Sequence, residues 1–580
     1  MYFSQIEDGI MSYNQKKKDG GCDKLHFIKW ICLSILLLFF WQVAGCEKIL
    51  NLSRYETIQV PTERLERIEP LDWQAVSKKD NPTDANEPTA QVPPLEKLNL
   101  TIEQCRSAAL ENNLDITVQL FDPRIAHQDE QETKGYFEPL IFSNFNWSKE
   151  DNVVFTDLDA NRRESIYNDF GLRIPLHTGG EITLDMPFYR TETDNAFSIG
   201  DTLSRDKVKI YGNTLSARIN QPLLRFGGIR RNTHALRIAH YGTLVARART
   251  KLEVILVLAA ADRAYWRLYA ARRELVVRKQ EFDLAQAQLQ SARRKVAAGE
   301  VAEIEIIRAA DAAAQRKEAI IIAENSVRDR QRELKMVLNK PELQMETPTV
   351  IELQTEPNPQ RYVLDRGKLL DYSLTNRMEL LELELQIAMD TSTVDYERNG
   401  MLPLVNLNYT YNMNGLGDSA DDAYDMMLGN RFVNHRLGVA MEIPLGNKSA
   451  HSRWRRAQLL RQQRLATKQQ RKITIKQEVL NAADQMDSNW QRVIASRQSV
   501  LLAERTMKAE QRQFDLGLQI STEVLDAQTR FADAQSAQIQ ALVEYQIAQV
   551  DLAYATGSLL QAAQVHWQPK EITANDSPPK

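Results

Sequence analysis

Alternation between apolar and polar residues predicts several β-strands in the sequence. The clearest strand follows Leu404 and has aromatic and branched side chains at every second position. Its apolar positions are Val405, Leu407, Tyr409, Tyr411 and Met413, and its polar positions are Asn406, Asn408, Thr410 and Asn412. Similar alternation covers residues 141–148, 215–220 and 436–443. A period of two puts each set on its own face of a strand. A membrane β-barrel and a soluble β-sandwich with one solvent-exposed face both show this pattern. Periodicity alone therefore does not distinguish between these two folds.

A further alternating segment between residues 170 and 188 has the pattern of a β-hairpin. Its apolar positions are Phe170, Leu172, Ile174 and Leu176 before the sequence HTGG, and Ile182, Leu184, Met186 and Phe188 after it. Two glycines between alternating runs are a turn signal. Two interpretations are open, a folded external loop and an additional pair of strands in an enlarged barrel.

Two uninterrupted runs predict helices of unusual length. The first runs from Gly228 to Val296 with Gly242 as its only helix breaker, and the second runs from Gly446 to Leu516 with neither glycine nor proline inside it. Each would be roughly 100 Å long at 1.5 Å per residue. Alanine, glutamine, arginine, glutamate and leucine dominate, and all of them favour helices. The sparse, small apolar positions suit close packing in a coiled coil of several copies, because they cannot form a thick core.

The chain is an internal duplication. The segment ALENNLDI at 109–116 matches SLTNRMEL at 373–380, and residues 299–339 align without a gap with residues 517–557. We therefore predict two repeats, at 97–345 and 346–565, followed by a polar tail at 566–580. Each repeat is expected to contain a helix, strands, a long helix, a turn and a returning helix.

The two long helices are expected to end in equivalent turns. KVAAGEVAEIEIIRAA at 295–310 and QFDLGLQISTEVLDAQ at 513–528 each contain one glycine, Gly299 or Gly517, and an acidic residue six positions later, Glu305 or Glu523. Glycine takes positive φ without a steric cost, so each glycine can reverse the chain.

Composition and motifs argue against several classes of function. The formal net charge is −4, which gives no field that would attract nucleic acid. The four cysteines include no C-x-x-C pair, and the eight histidines are scattered, so neither a disulfide framework nor a metal site is expected. The sequence has no G-x-S-x-G or Walker-type motif. We expect a protein without enzymatic activity and without a cofactor.

The N-terminus resembles the export signal of a bacterial lipoprotein. Lysines precede an apolar run of roughly 14 residues, 30–43, which is the size of a signal-peptide core. The sequence VAGC that ends at Cys46 is similar to a lipobox, which implies a signal peptide at 1–45 and a lipidated Cys46. The alternative is a buried apolar segment with an incidental cysteine. Residues 46–96 are polar and contain several prolines, so they are expected to form the lipidated N-terminus and an extended linker.

The order of these features resembles the TolC-like outer-membrane efflux family over residues 95–562. INQPLLRFGG at 219–228 and MEIPLGN at 441–447 are similar to its strand-to-helix junctions. The residues that carry this similarity are Pro222, Gly227 and Gly228 in the first junction and Pro444 and Gly446 in the second. FDLGLQISTEVLDAQ resembles its periplasmic turn, and LAYATG at 552–557 resembles the segment that closes its second half.

The resemblance implies an α+β membrane protein in which three protomers share one outer-membrane β-barrel, continued by a periplasmic α-helical barrel. It implies a passive exit duct of a tripartite efflux pump or a type I secretion system in a Gram-negative-type bacterium. The implied partners are a periplasmic adaptor (membrane fusion) protein, an inner-membrane transporter and outer-membrane lipid. The alternative is a non-conducting coiled-coil lipoprotein that tethers the outer membrane to the envelope. Small-molecule efflux, metal-ion efflux and protein secretion are all open.

The resemblance also assigns residues to the helical tip. The family narrows its pore with acidic residues after the second turn, and the matching positions are Glu523 and Asp526, whose alternative is a role as ordinary exposed charges. Arg308 stands where the first repeat would match Asp526. We hypothesise that Arg308, together with the neighbouring Arg294 and Lys295, pairs with the acids of the second repeat in the closed tip. Arg308 and Glu305 are the residues assigned to this salt-bridge region. The family's tyrosine and arginine latch is replaced by Phe514 and Gln519. These two residues, with the turns at Gly299 and Gly517, are the expected docking site of the adaptor.

Overall fold

The structure is a computed structural model that describes residues 97–151, 153, 162–199 and 202–565. The predicted signal peptide, Cys46, the linker and the C-terminal tail lie outside the described residues. The strands are β1 (Lys97–Leu100), β2 (Leu140–Asp151), β3 (Arg162–Pro175), β4 (Glu181–Ile199), β5 (Thr202–Pro222), β6 (Val350–Leu353), β7 (Leu404–Gly417) and β8 (Val433–Glu442).

The helices of the described chain alternate between short segments and very long rods. They are α1 (Ile102–Asn112), α2 (Leu114–Gln119), α3 (Phe121–Gly135), α4 (Ile229–Asn232), α5 (His234–Ala297), α6 (Ile304–Leu338), α7 (Arg366–Asn376), α8 (Met378–Asn399), α9 (Ala420–Leu428), α10 (Lys448–Asp515), α11 (Ser521–Ala555) and α12 (Leu559–Ala562).

Six strands form one antiparallel sheet in the order β2-β3-β4-β5-β7-β8. The hairpin of β3 and β4 lies inside this sheet, so its interpretation as a folded external loop is wrong. The reason is visible in the register, which brings apolar residues of β3 and β4 onto the same face as those of the neighbouring strands. One row across that face contains Ile141, Leu172, Leu184, Ala217 and Tyr411. The extra strands therefore continue the two-faced pattern of their neighbours.

The two predicted long helices are confirmed. Helix α5 has 64 residues and α10 has 68, and each is followed by a returning helix of 35 residues, α6 or α11. Buried alanines line the contact between α5 and α6, among them Ala285, Ala292, Ala309 and Ala313. Small side chains allow the helix backbones to approach closely, as the sparse apolar pattern indicated. Among the described residues, no helix combines the length and the apolar character that crossing a bilayer requires.

A small parallel sheet joins the beginnings of the two repeats and was not predicted. Strand β1 pairs with β6, more than 240 residues later in the chain, in the register Leu100↔Leu353. Next to it, α1 begins with a capping box between Thr101 and Gln104. This region covers the main hydrophobic core, in which Cys105 and Tyr265 are buried. The core lies part of the way along the rods, away from both the sheet and the turns, because α1 packs against the middle of α5.

The same contact closes the base of each helical hairpin. In the first repeat, Asn113 Nδ2 donates to the carbonyl oxygen of Val337 at 3.0 Å. In the second, Arg377 Nη1 donates to the carbonyl oxygen of Ala555 at 3.1 Å. These four residues are related by the same two offsets that align the repeats in the sequence. The duplication therefore extends to individual tertiary contacts, although the residue types have diverged. The exact repeat and domain boundaries remain a prediction.

Candidate functional site

Both helical hairpins reverse direction through the same capping motif. Gly299 has φ +74° and Gly517 has φ +78°. In the first turn, the amides of Gly299 and Glu300 donate to the carbonyls of Val296 and Lys295, both at 2.9 Å. The amides of Gly517 and Leu518 make the equivalent bonds in the second turn. This is the Schellman arrangement, in which a residue with positive φ satisfies the last carbonyl groups of a helix. Glycine is required at both positions because its backbone reaches this conformation without strain.

Lys295 of the first hairpin holds the end of the second long helix. Its Nζ donates to the carbonyl oxygen of Phe514 at 2.7 Å and lies 4.0 Å from the centre of the Phe514 ring. Phe514 itself is buried. An ammonium over an aromatic face is attracted by the ring quadrupole, and a hydrogen bond from a charged donor is stronger than a neutral one. Lys295 and Phe514 thus form a direct link between the two turns.

A carboxylate of the first hairpin is hydrogen-bonded to the first residue of the returning helix of the second. Glu305, at the start of α6, is buried and accepts a hydrogen bond from Ser521 Oγ, which is also buried. Its other oxygen, Oε1, accepts from Arg308 Nη1 at 2.8 Å. The structure therefore gives Arg308 a partner in its own helix, and Glu523 and Asp526 are not in contact with it within the protomer. The Ser521 hydroxyl therefore supplies a hydrogen bond to the buried Glu305 carboxylate. Without a donor, burial of this carboxylate oxygen would cost free energy.

A buried arginine joins the two hairpins slightly further from the turns. Arg316 of α6 lies 3.1 Å from the Glu281 carboxylate of α5, and both side chains are almost fully buried. Its Nη2 donates to the carbonyl oxygen of Leu525 at 3.0 Å and to Thr529 Oγ1 at 2.8 Å, both on α11. A buried charge is tolerated when it is paired and hydrogen-bonded in this way. Arg316 thereby fixes α11 against the first hairpin.

The two candidate pore residues are exposed on one side of α11. Glu523 and Asp526 are three positions apart and point away from the buried side, which contains Val524, Leu525 and Ala527. Neither carboxylate has an ion-pair partner among the described residues. Their common orientation follows from helical geometry, since positions three apart lie on one face. Gln519 is engaged elsewhere, because its Nε2 donates to Glu510 Oε2 at 3.2 Å.

The strand-to-helix junctions contain several residues with unusual backbone angles. Gly228 and Gly446 have positive φ values of 96° and 82°, and Phe226 and Asn447 also have positive φ. Pro222 ends β5, so its missing amide removes no donor from the helix that follows. Pro444 and Gly227 lie in the short connections to the helices. These turns redirect the chain from the sheet into α5 and α10.

One amide side chain stabilises the first junction and was not predicted. Asn399, at the end of α8, accepts from the amide of Phe226 at 2.9 Å and donates to the carbonyls of Leu224 and Gly227. Arg231 stacks over the ring of Tyr396 at 4.3 Å in the same region. The prolines and glycines of a junction are visible in the sequence, whereas the amide that holds them comes from the other repeat. The one hint in the sequence is that Asn399 stands shortly before the start of β7 at Leu404.

Comparison with solved structures places this fold in a class. The structure is similar to the outer-membrane channel OprN, with 16% identity, a TM-score of 0.58 and coverage of 79% of this chain and 90% of that chain. It is similar to the CmeC outer membrane channel of Campylobacter jejuni, with 14% identity, a TM-score of 0.58 and coverage of 79% and 86%. It is similar to the outer membrane protein VceC of Vibrio cholerae, with 13% identity, a TM-score of 0.57 and coverage of 79% of this chain and 96% of that chain. No curated protein matches the sequence significantly.

The fold is therefore that of outer-membrane channels. In addition, residues 369–558 match the family of outer membrane efflux proteins. The second repeat thus matches this efflux family, and the fold is shared with the solved channels over most of the chain. The resemblance to TolC-like channels drawn from the sequence is thus confirmed, and the family is one of channels and not of enzymes.

Proposed function

We propose that three copies of this chain form a passive exit duct of a tripartite efflux pump or a type I secretion system. Their sheets would join into one barrel in the outer membrane, and their rods would form a tube across the periplasm. The apolar face of the sheet supports this arrangement, since Ile141 is 66% exposed and Leu437 71% exposed in the single chain. Side chains of this kind are stable when they face lipid.

The rods also present apolar surface that neighbouring copies would cover. Ile473 of α10 is 68% exposed, and Ile321 and Ile322 of α6 are exposed to a similar degree. Large apolar residues along a thin two-helix hairpin have no core of their own to enter. Packing against the hairpins of other copies would bury them. The single observation that carries the proposal is this combination of a lipid-compatible sheet and uncovered rods in one chain of the efflux family.

We assign the helical turns to gating and docking. In a threefold assembly, Glu523 and Asp526 would face the axis and place six carboxylates around the narrowest opening, which favours cations. The adaptor would dock around Gly299, Gly517, Phe514 and Gln519. Support for docking comes from the apolar residues that flank the second turn, because Leu516 and Leu518 are both strongly exposed. Exposed apolar side chains at the end of a rod fit a protein partner.

We also propose that the protein is anchored to the outer membrane by lipid on Cys46. The anchor would add to the insertion of the sheet, and the proline-containing linker would connect it to β1. Metabolic labelling with a palmitate analogue tests this proposal. We expect label in the wild type and none in Cys46→Ser, whereas equal labelling of the two proteins would disprove the anchor.

Conductance of the purified protein in planar lipid bilayers tests the duct itself. A channel should give discrete ion-current steps, together with a trimeric mass in detergent by light scattering. The tether that the sequence left open would give no current. A protein that forms trimers without any conductance, even after substitution of Lys295 to weaken the tip, would contradict the proposal.

A further inference from the structure

The two repeats contribute unequally to the six-stranded sheet. The second repeat provides two strands, β7 and β8, whereas the first provides four, β2 to β5. Because the chain is a duplication, the difference is one hairpin, β3 and β4, which has no counterpart in the second repeat. This hairpin is long, with 14 residues in β3 and 19 in β4.

Only the other four strands are connected to the helices. Strand β2 follows α3, β5 leads to α4 and α5, β7 follows α8, and β8 leads to α10. Strands β3 and β4 instead join each other through residues 176–180, at the end of the sheet where the helices begin. The hairpin therefore adds width to the sheet without adding a helix to the rods.

The β3–β4 turn is fastened to the strand-to-helix junction. The amide of Gly228 donates to the carbonyl oxygen of Thr178 at 2.9 Å, and Thr178 Oγ1 donates to Gln221 Oε1 at 2.8 Å. The rings of Phe137 and His177 stack with centres 4.2 Å apart. Gly179 has φ +86°, and a Cβ there would lie 2.4 Å from the carbonyl oxygen of Phe226. Such a turn is a built part of the junction and not a loop laid over it.

The hairpin shares the two-faced character of the strands beside it. On the apolar face, Leu172 of β3 and Leu184 of β4 lie between Ile141 and Ala217. On the polar face, Asp185 of β4 pairs with Arg218 of β5 at 2.9 Å. The hairpin can thus separate lipid from water as its neighbours do.

We infer that the barrel of this protein has eighteen strands and that β3–β4 is the element that widens it. This inference rests on the trimer of the proposed function. Strands β2 and β8 are the edges of the sheet, and edges cannot remain unpaired in a bilayer, so three sheets must close on one another. Barrel diameter grows roughly linearly with strand number, so eighteen strands give about 1.5 times the diameter of the twelve helix-linked strands alone.

A wider barrel changes where cargo is restricted. The number of helices per copy is set by the four helix-linked strands and stays the same. The barrel then widens while the helical tube does not, so restriction by size falls to the helical end with Glu523 and Asp526. The β3–β4 hairpin would thus make the outer opening permissive for any cargo that the tube has passed.

Electron cryomicroscopy of the purified trimer tests the inference directly by strand count. We expect eighteen strands in cross-section, with β3 and β4 in the wall. A trimer with twelve strands and a detached hairpin would overturn this inference and leave the proposed duct intact. A particle without a closed assembly would overturn both, and so would be recognised as a failure of the proposed function.

A narrowed variant provides the matched comparison. Replacing residues 152–206 by Asn-Gly removes β3, β4 and the first five residues of β5, and it joins Asp151 to Lys207 by a two-residue hairpin turn. The register keeps Ile141 and Ala217 on the same face, so β2 can pair with β5. We expect a trimer of twelve strands, and a fall of about one third in the radius of the largest polyethylene glycol that enters from the external side. An unchanged polymer cut-off in a folded trimeric variant would overturn the inference.

Discussion

The ammonium of Lys295 lies 4.0 Å from the centre of the Phe514 ring, and it is also bonded to the Phe514 carbonyl oxygen. The two residues belong to different repeats and to different helical hairpins. The TolC-like family, which the sequence resembles, is expected to hold the tip closed with a tyrosine and an arginine near the second glycine. This chain has Phe514 and Gln519 at those positions. The structure provides a cation from the first hairpin in their place. Lys295 and Phe514 therefore join the two hairpins directly within one subunit.

Removal of this cation should loosen the tip. We expect Lys295→Met to lose about 1–2 kcal/mol of contact between the hairpins, which corresponds to roughly a 5- to 30-fold shift toward the open state per subunit. Single-channel recording would show longer openings, and Lys295→Arg should behave nearly as the wild type because a guanidinium also stacks on aromatic rings. Unchanged openings in Lys295→Met would show that this contact does not hold the tip.

The hydroxyl of Ser521 should matter because its partner is a buried carboxylate. Ser521→Ala leaves one oxygen of Glu305 without that donor, at a cost of about 1–3 kcal/mol. We expect increased proteolysis near the turns and a higher open fraction. Ser536→Ala is the matched control, because Ser536 lies on the same helix and its buried hydroxyl has no hydrogen-bond partner in the part of the chain that the structure describes. Equal effects of the two substitutions would remove the assigned role of Ser521.

The exposed carboxylates of α11 should control ion selectivity. The double variant Glu523→Gln and Asp526→Asn removes six negative charges from a threefold tip, so the preference for potassium over chloride should fall in reversal-potential measurements. Glu318→Gln changes one exposed charge of α6, far from the turn, and should have no effect. Selectivity that survives the double substitution would place the constriction elsewhere.

The thiol of Cys105 should be unreactive in the folded protein. Burial, with the nearby Asp262 carboxylate, raises the pKa of Cys105 to about 12, against the lowering effect of Arg106. The thiolate is the reactive form of a cysteine side chain. Because the pKa is raised so far, little thiolate exists at pH 8. A thiol reagent should therefore label the native mature protein poorly and find one thiol after denaturation. Two thiols after denaturation would contradict lipidation of Cys46, and rapid native labelling would contradict the packing of α1.

Acid should weaken the first strand-to-helix junction through His234. Burial, together with Arg237 and Arg231, lowers the pKa of His234 to about 4. The unfolded chain binds this proton near its ordinary value of 6.5, so the folded state loses stability as the pH falls from about 6.5 to about 4. His234→Phe keeps a ring over Tyr396 and should flatten the pH dependence of the melting temperature in that range. An equally steep dependence in this variant would exclude His234 as its source.

Local patterns in the sequence predicted the elements better than their partners. The long helices and most strands were predicted because their periodicity is carried by neighbouring residues. Alternation could not decide whether β3 and β4 join the sheet, since that depends on β2 and β5. Strands β1 and β6 were missed because each has only four residues and pairs with a distant partner. The short helix α9 between β7 and β8 was also missed.

The candidate site shows the same division. Gly299 and Gly517 could be found because positive φ selects glycine locally. The sequence left two kinds of partner open for Arg308, Glu305 three positions away and the acids of the second repeat, and only the packing of the hairpins decides between them. The bond between Lys295 and Phe514 depends on how the two hairpins are aligned along their helix axes. That alignment is set by the packing of four helices. No spacing within one repeat contains that information.

The diverged contacts at the hairpin bases imply an order of unfolding within each subunit. Asn113 holds α6 through one neutral hydrogen bond, whereas Arg377 holds α11 and also pairs with Glu379 and Glu478. The returning helix of the first repeat should thus exchange its amide hydrogens sooner than its twin. A gene duplication that began with two identical halves would thus have produced one helical hairpin that opens easily and one that is held more firmly.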